Sequence, residues 1–228
     1  MTAEWKIDVG DEQTSAIYEP ATSGNDVALF VCAHGAGGHM LDRGMTATAN
    51  ALRANGLGVV RFNFLYKEKK SGRPDPMARL IATTRAVIAQ ACGELKPARL
   101  IVGGRSMGGR AASMLAAEGG DSSETGGIAA NGLLLLAYPL HPAGQPEKLR
   151  DAHLSAIRIP VLCFNGTRDA LCTRDLMERA LTKVKVPWAM EWIVGADHMF
   201  HVLKSSGRTD TEVMAQIGRT AREWAAKL

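Results

Sequence analysis

The sequence predicts an α/β fold in which helices cover both faces of a mostly parallel central sheet. Short apolar runs alternate along the chain with longer segments of helical period, which is typical of parallel strands joined by helices. The chain has 228 residues, of which 46% are hydrophobic, so it is long enough to bury a full core. We therefore predict one domain over residues 1–228.

The elements are predicted in order from apolar runs and turn residues. Residues 5–9 and 15–19 are expected to form an antiparallel hairpin, because Gly10 and Asp11 lie between them. A helix is expected to start at Asp75-Pro76 and to stop before Pro97. The other predicted strands are 27–33, 58–64, 99–103, 132–137, 161–165 and 189–194, the other helices are 47–55, 108–117, 173–182 and 210–228, and a loop is expected over 119–127.

Composition argues against several other classes of protein. Apolar runs such as residues 133–136 are far shorter than the roughly 20 residues that cross a bilayer. The N-terminus carries Glu4 and Asp8, where a signal peptide is basic and then apolar. Four cysteines without a CxxC pair indicate reduced core thiols. We expect a cytoplasmic monomer or homodimer that does not associate with membranes.

The net charge of +4 raises the question of nucleic-acid binding. The densest basic stretch, residues 67–73, also contains Glu68 and has no interleaved aromatic residues. A nucleic-acid footprint needs basic residues gathered on one face. We therefore interpret this stretch as a solvated loop and expect no nucleic-acid partner.

The segment Gly104-Arg105-Ser106-Met107-Gly108 matches the pattern G-x-S-x-G between a predicted strand and a predicted helix. Glycines on both sides let the backbone turn sharply, which lifts the serine hydroxyl out of the sheet near the positive end of the helix. The pattern alone is weak, since a glycine-rich chain matches it by chance with a probability on the order of 0.1. In this context it predicts that Ser106 is a nucleophile.

The segment His34-Gly35-Ala36-Gly37-Gly38 follows the predicted strand 27–33. Its glycines can aim backbone N–H groups at an oxygen that becomes negative during a reaction. We expect one donor from Ala36, with Gly37 as the alternative, and a second from Met107. A phosphate-binding loop is disfavoured because no Gly-Lys-Ser/Thr follows and the third glycine of a dinucleotide fingerprint is missing.

A serine needs a base, and the ends of two later strands supply candidates. Asp169 follows the predicted strand 161–165, and His198 follows the predicted strand 189–194. Catalytic groups of parallel sheets gather at the carboxyl ends of the strands, where Ser106 also stands. We predict that His198 is the base and that Asp169 orients it, and this chain order is that of α/β-hydrolases.

Other polar residues are weaker candidates for the same roles. His201 could join a metal pair, but no acidic or cysteine partner has matching spacing, so we expect no metal. Asp175 and Asp197 are alternatives as the carboxylate, although one falls in a helix start and the other adjoins the base. His34 is interpreted as a structural hydrogen-bonding residue that supports the glycine loop. Cys172 lacks the turn that a nucleophile needs.

Four segments together resemble a known family: HGAGG, GGRSMGGR, GTRD and GADH. They are similar to the lidless α/β-hydrolases related to dienelactone hydrolases, and most closely to the testis-expressed protein 30 / NSL-complex subunit 3-like group. The segment YPLHP, followed by PEKLR and HL, looks like that group's signature. The resemblance implies an α/β-hydrolase fold without a large lid. Dienelactone hydrolases have cysteine where this chain has Ser106, so that specific activity is not expected.

The expected activity is hydrolysis of a carboxylic ester, thioester or similar acyl bond through an acyl-enzyme, without a cofactor. Little sequence precedes residue 161 after the sixth strand, so the pocket should be shallow and open to a small-molecule acyl substrate. The substrate is expected to contact Tyr66, Leu140, His141 and Met199, with Phe64, Leu65 and Met107 in the lining. For His141, a turn role beside two prolines is an equal alternative.

Two other classes of function remain open. A hydrolase scaffold can serve as a non-catalytic interaction module, because fold alone does not establish function. An acyltransferase would use the same nucleophile but must keep water away from the acyl-enzyme, which a site without a lid makes harder.

Overall fold

The computed structural model describes residues 1–22, 26–118 and 129–228. Eight strands form one sheet. They are β1 (Ala3–Val9), β2 (Glu12–Glu19), β3 (Ala28–Ala33), β4 (Leu57–Phe62), β5 (Leu100–Arg105), β6 (Gly132–Leu136), β7 (Val161–Gly166) and β8 (Trp188–Ile193). The strand order is β1-β2-β4-β3-β5-β6-β7-β8. β2 is antiparallel to both of its neighbours, and every other pair is parallel. The predicted hairpin and the mostly parallel sheet are thus confirmed.

Helices cover both faces of this sheet. They are α1 (Arg43–Arg53), α2 (Leu65–Glu68), α3 (Met77–Leu95), α4 (Met107–Glu118), α5 (Arg174–Leu181) and α6 (Asp210–Ala225). On one face, α1 and α6 pack with residues such as Met45 and Val213 against the apolar side chains of the strands. On the other face, α3, α4 and α5 form a second apolar cluster that includes Leu80, Ala111 and Met177. The sheet is therefore buried on both sides, which explains its continuous apolar strands.

The starts of α1 and α3 differ from the predictions, and one short helix was not predicted. α1 begins four residues earlier than predicted because Asp42 caps it, with Oδ1 accepting from Met45 N at 2.8 Å. α3 begins at Met77 with Pro76 at the cap position. The Asp75 side chain accepts instead from Tyr66 N at 2.9 Å, so it ties α3 to the short helix α2, which was not predicted.

The basic stretch at residues 67–73 is used in contacts within the chain. Lys67 Nζ donates to the Gly37 carbonyl at 3.0 Å, and Lys69 Nζ lies 2.6 Å from a carboxylate oxygen of Glu12. These two ammonium groups are thus tied to other parts of the protein. The absence of a nucleic-acid partner stays a prediction.

The parallel strands end at one edge of the sheet, and the segments that carry the candidate site residues follow these ends. Between β6 and β7, where a lid would be inserted, residues 137–160 contain one turn of 3-10 helix, Leu154–Ala156. The loop predicted over 119–127 lies outside the described residues. Among the residues that are described, no helix is both long and apolar enough to cross a membrane.

Candidate active site

Ser106 occupies a sharp turn between β5 and α4. Its φ angle is +47°, an uncommon conformation for a residue with a side chain. The turn is held by hydrogen bonds from Ser106 N to the Leu136 carbonyl and from Arg110 N to the Ser106 carbonyl, both 2.9 Å long. A Cβ atom at Gly108 would lie 2.5 Å from the His34 carbonyl oxygen. The first turn of α4 therefore packs directly on the backbone of the glycine loop.

The side chains of Ser106, His198 and Asp169 are joined by hydrogen bonds. His198 Nε2 lies 2.9 Å from Ser106 Oγ, and His198 Nδ1 lies 2.8 Å from Asp169 Oδ2. The Asp169 side chain is fully buried, whereas a quarter of the His198 side chain is exposed. With Nδ1 donating to the carboxylate, Nε2 is left as an acceptor for the serine proton.

Asp169 is itself held by two further donors. Its Oδ1 accepts from Leu171 N at 2.8 Å, and its Oδ2 accepts from Asn165 Nδ2 at 3.0 Å. Asn165 is fully buried at the end of β7 and also bonds both backbone groups of Tyr138. Asn165 was not singled out from the sequence, although an amide inside a buried strand is a usable signal, since buried polar groups need partners. It fixes the carboxylate relative to β6.

The glycine loop at residues 34–38 is supported by His34 and Lys67. His34 Nδ1 donates to the Gly35 carbonyl at 2.8 Å, and Nε2 accepts from Phe64 N at 3.1 Å. His34 is fully buried and both ring nitrogens are used, as expected for a structural histidine. Among the hydrogen bonds of the described residues, none is donated by Ala36 N. This N–H is therefore free for a ligand, as an oxyanion donor requires.

Acid is expected to destabilise the protein through His34. Burial lowers the pKa of His34 to about 4, whereas a histidine in the unfolded chain titrates near 6.5. Below about pH 6.5 the unfolded chain binds a proton at His34 that the folded chain does not. The contribution of His34 to the unfolding free energy is therefore fully present above this pH and is lost as the pH falls towards 4. The loss should reach about 3 kcal/mol at pH 4.

Urea denaturation of the wild type between pH 7 and pH 4 measures this loss. In His34→Gln the pH dependence should become shallower, whereas in His39→Gln, which removes an exposed histidine, it should stay much closer to that of the wild type. His153 contributes in the same direction, since burial also lowers its pKa to about 4. If the unfolding free energy depended equally on pH in the wild type and in His34→Gln, the proposed contribution of His34 would be contradicted.

A cavity of about 500 Å³ opens beside Ser106 and His198. The glycine loop, the start of α1 and the segment around His198 enclose it. Its lining includes Ala36, Asp42, Arg43, Gly44, Met45, Arg105, Ala137, Leu171 and Met199. Of the residues expected to contact substrate, Met199 lies in this lining and is 63% exposed. The start of α1 was not predicted to take part, because the sequence predicted that this helix begins at residue 47.

The other expected substrate contacts differ from the structure. Tyr66, Leu140 and His141 are buried and do not line the cavity beside Ser106. The reason is that α2 turns Phe64 and Tyr66 into the core cluster on the α3 side of the sheet, to which Leu140 also belongs. His141 is held by bonds from its N to the Leu171 carbonyl and between its Nδ1 and the Pro142 carbonyl, which fits the turn role.

Two further expected lining residues, Leu65 and Met107, also lie away from the cavity wall. Leu65 is buried, and Met107 is half-buried against the core cluster on the α3 side. Met107 follows Ser106 directly, so its backbone N–H stays next to the candidate nucleophile.

The alternative site residues have other contacts. His201 Nδ1 lies 2.9 Å from Asp210 of α6, and Asp197 Oδ1 accepts from Met199 N and His201 N. Asp175 lies exposed in the first turn of α5, and burial raises the pKa of the Cys172 thiol, which disfavours a thiolate. Within residues 1–22, 26–118 and 129–228, no cluster of histidine, cysteine or carboxylate side chains could hold a metal.

Solved structures share this architecture. A serine hydrolase homologue from Coxiella burnetii is 20% identical, with a TM-score of 0.76 over 96% of each chain. An α/β serine hydrolase without a lid from Xanthomonas campestris is 21% identical, with a TM-score of 0.73 over 98% of this chain and 94% of that one. A dienelactone hydrolase from Anabaena variabilis is 18% identical, with a TM-score of 0.72 over 98% and 96%. These likenesses confirm the predicted α/β-hydrolase fold.

The sequence profile described as "Alpha/beta hydrolase domain" matches residues 26–226 of the 228-residue chain. The match includes the glycine loop, the turn at Ser106 and the segments of Asp169 and His198. The chain therefore belongs to the alpha/beta hydrolase domain family.

Proposed function

We propose that the protein is a serine hydrolase that cleaves a carboxylic ester, thioester or similar acyl bond through an acyl-enzyme. The observation that carries the proposal is the hydrogen-bonded series Ser106, His198 and Asp169, with 2.9 Å between Ser106 Oγ and His198 Nε2 and 2.8 Å between His198 Nδ1 and Asp169 Oδ2. An alcohol, an imidazole and a buried carboxylate in this order can generate a nucleophile at neutral pH. The fold alone would not carry this conclusion.

In the proposed reaction, Ser106 Oγ attacks the acyl carbon while His198 Nε2 takes its proton. The N–H groups of Ala36 and Met107 are proposed to stabilise the oxygen that becomes negative. The tetrahedral intermediate collapses, the bond to the leaving alcohol or thiol breaks, and His198 returns the proton to it. Water then attacks the acyl-enzyme by the same route, releasing the carboxylic acid and restoring the Ser106 hydroxyl.

The cavity supports a small or flexible acyl group as the substrate. Its volume of about 500 Å³ lies within the range of small-molecule sites, and the 3-10 turn between β6 and β7 offers no cover for a long chain. Within its family we further place the chain in the testis-expressed protein 30 / NSL-complex subunit 3-like group. The sequence YPLHP at residues 138–142 supports this placement.

Labelling with a fluorophosphonate probe tests the proposed nucleophile. The wild type should be labelled on Ser106, because the probe needs a serine activated by a base. Labelling should be lost in Ser106→Ala and kept in Ser205→Ala, which removes an exposed serine of the 3-10 turn Lys204–Ser206. A folded wild type that stays unlabelled would refute the proposal and favour a non-catalytic interaction module.

A further inference from the structure

Arg105 is a buried cation beside the candidate nucleophile. It ends β5, it is 6% exposed, and its side chain is part of the cavity lining that also contains Ser106 and His198. Its hydrogen bonds are long: Nη1 lies 3.3 Å from Thr48 Oγ1, and Nη2 lies 3.4 Å from the Met199 carbonyl oxygen. The guanidinium also stacks over the Phe200 ring, 5.5 Å from its centroid. None of these partners carries a negative charge.

Elsewhere in this chain, comparable guanidinium groups are neutralised. Arg61, which is 3% exposed, and the half-buried Arg53 both pair with the carboxylate of Glu19. Among the described residues, no carboxylate oxygen lies within ion-pair distance of Arg105. Burying a charge without a counter-ion is costly. Burial accordingly lowers the pKa of the Arg105 guanidinium, so a ligand anion would relieve an existing cost.

The charged residues that line the cavity leave its wall positive. Arg43 adds an exposed second guanidinium to the lining. Asp42 is the carboxylate in this wall, and both of its oxygens are engaged: Oδ1 accepts from Met45 N and Oδ2 from His39 N. Asp197, the other nearby acid, accepts backbone N–H groups with Oδ1. Both carboxylates favour the charged form of Arg105 through space, but neither lies within ion-pair distance of its guanidinium.

We propose that Arg105 binds a carboxylate carried by the substrate, so that the enzyme acts on short esters or thioesters that contain a second, free carboxylate. The planar guanidinium fork matches the two oxygens of a carboxylate. The cavity wall carries two guanidinium groups and one carboxylate, so two positive charges face one negative charge, which suits a ligand with a single negative charge. Because Arg105 and Ser106 both line this cavity, the anion and the scissile bond belong to the same site. This inference rests on the proposed hydrolase function.

Matched substrates test the inference on the wild type. Monomethyl glutarate carries the charge on the acyl side, and its neutral counterpart is the methyl ester of glutaramic acid. Carboxymethyl butyrate and carbamoylmethyl butyrate place the same difference on the alcohol side. In at least one pair, kcat/KM should favour the anion by about tenfold to a hundredfold, mainly through KM. The pair that responds identifies the side on which the anion binds, and ratios near one in both pairs would overturn the inference.

The variants assign the preference to Arg105. Arg105→Met should bring the ratio within the responding pair close to one, whereas Arg105→Lys should keep part of it. Arg158→Met removes an exposed guanidinium outside the cavity and should leave the ratio as in the wild type. A preference that survives in folded Arg105→Met would refute the role of Arg105. If Arg105→Met does not fold, the ratio in Arg105→Lys decides, and an undiminished ratio counts against the role.

Binding separates this inference from the proposed function. In the Ser106→Ala protein, calorimetry should show that monomethyl glutarate or carboxymethyl butyrate binds about tenfold or more tightly than its neutral counterpart. The double variant with Arg105→Lys should bind the anion more weakly. Selective binding without any hydrolysis by the wild type would refute the hydrolase alone. Hydrolysis of both members of each pair at equal rates would refute the anion site alone.

Discussion

Replacing Asp169 with asparagine is expected to lower kcat for ester hydrolysis by about 10⁴, with little change in KM. Three N–H donors face the Asp169 carboxylate, from Leu171 N, Asn165 Nδ2 and His198 Nδ1. An asparagine offers only one oxygen, so its NH₂ group must face at least one of these donors. This clash of donors is removed if His198 changes tautomer, so that Nδ1 accepts a hydrogen bond and the proton moves to Nε2. It could then no longer accept the proton of Ser106.

Two control variants set the lower and upper limits of kcat for this comparison. Ser106→Ala removes the proposed nucleophile and should define the floor, about 10⁶ below the wild type. Asp175→Asn neutralises an exposed carboxylate in the first turn of α5 and should change kcat by less than twofold. Initial rates on a short-chain ester, with near-UV circular dichroism to establish folding, give the comparison. An Asp169→Asn protein within tenfold of the wild type would mean that Asp169 does not orient the base.

The sequence was sufficient to predict the sheet and the proximity of three segments that lie far apart in the chain. Ser106, Asp169 and His198 each follow a parallel strand, and the carboxyl ends of such strands share one edge of the sheet. Strand positions therefore imply proximity without any knowledge of side-chain conformations. The hydrogen bonds between these side chains are the finer detail that only coordinates supply.

The cavity wall could not be derived in the same way. The orientations of Phe64 and Tyr66 depend on the four-residue helix α2, which has too few residues to show a period. The residues at the start of α1 depend on one cap, Asp42. Arg105 is visible in the sequence beside Ser106, but its burial without a counter-ion follows from packing between α1 and the segment around His198. Local features such as these decide what the site can bind.

The second large effect is expected from Gly104→Ala at the end of β5. The φ angle of Gly104 is +151°, and a Cβ there would lie 2.8 Å from Ala33 N and 2.9 Å from the Ala33 carbonyl carbon, closer still to its oxygen. Backbone atoms of a paired central strand cannot move aside as a flexible side chain does. Strain and overlap together should cost about 4 kcal/mol of unfolding free energy, measured by urea denaturation.

Gly93→Ala is the matched control, because a Cβ at this position in α3 meets no atom within 4 Å. It should stabilise the protein by up to about 1 kcal/mol through helix propensity. The comparison distinguishes a glycine that close backbone contact requires from one whose position has room for a side chain. If Gly104→Ala were as stable as the wild type, the close approach of β5 to β3 would be wrong. Gly104, the first glycine of the pattern G-x-S-x-G, would then be needed only for the turn at Ser106. In the structure it is also needed for the pairing of β5 with β3, and the position of Ser106 depends on that pairing.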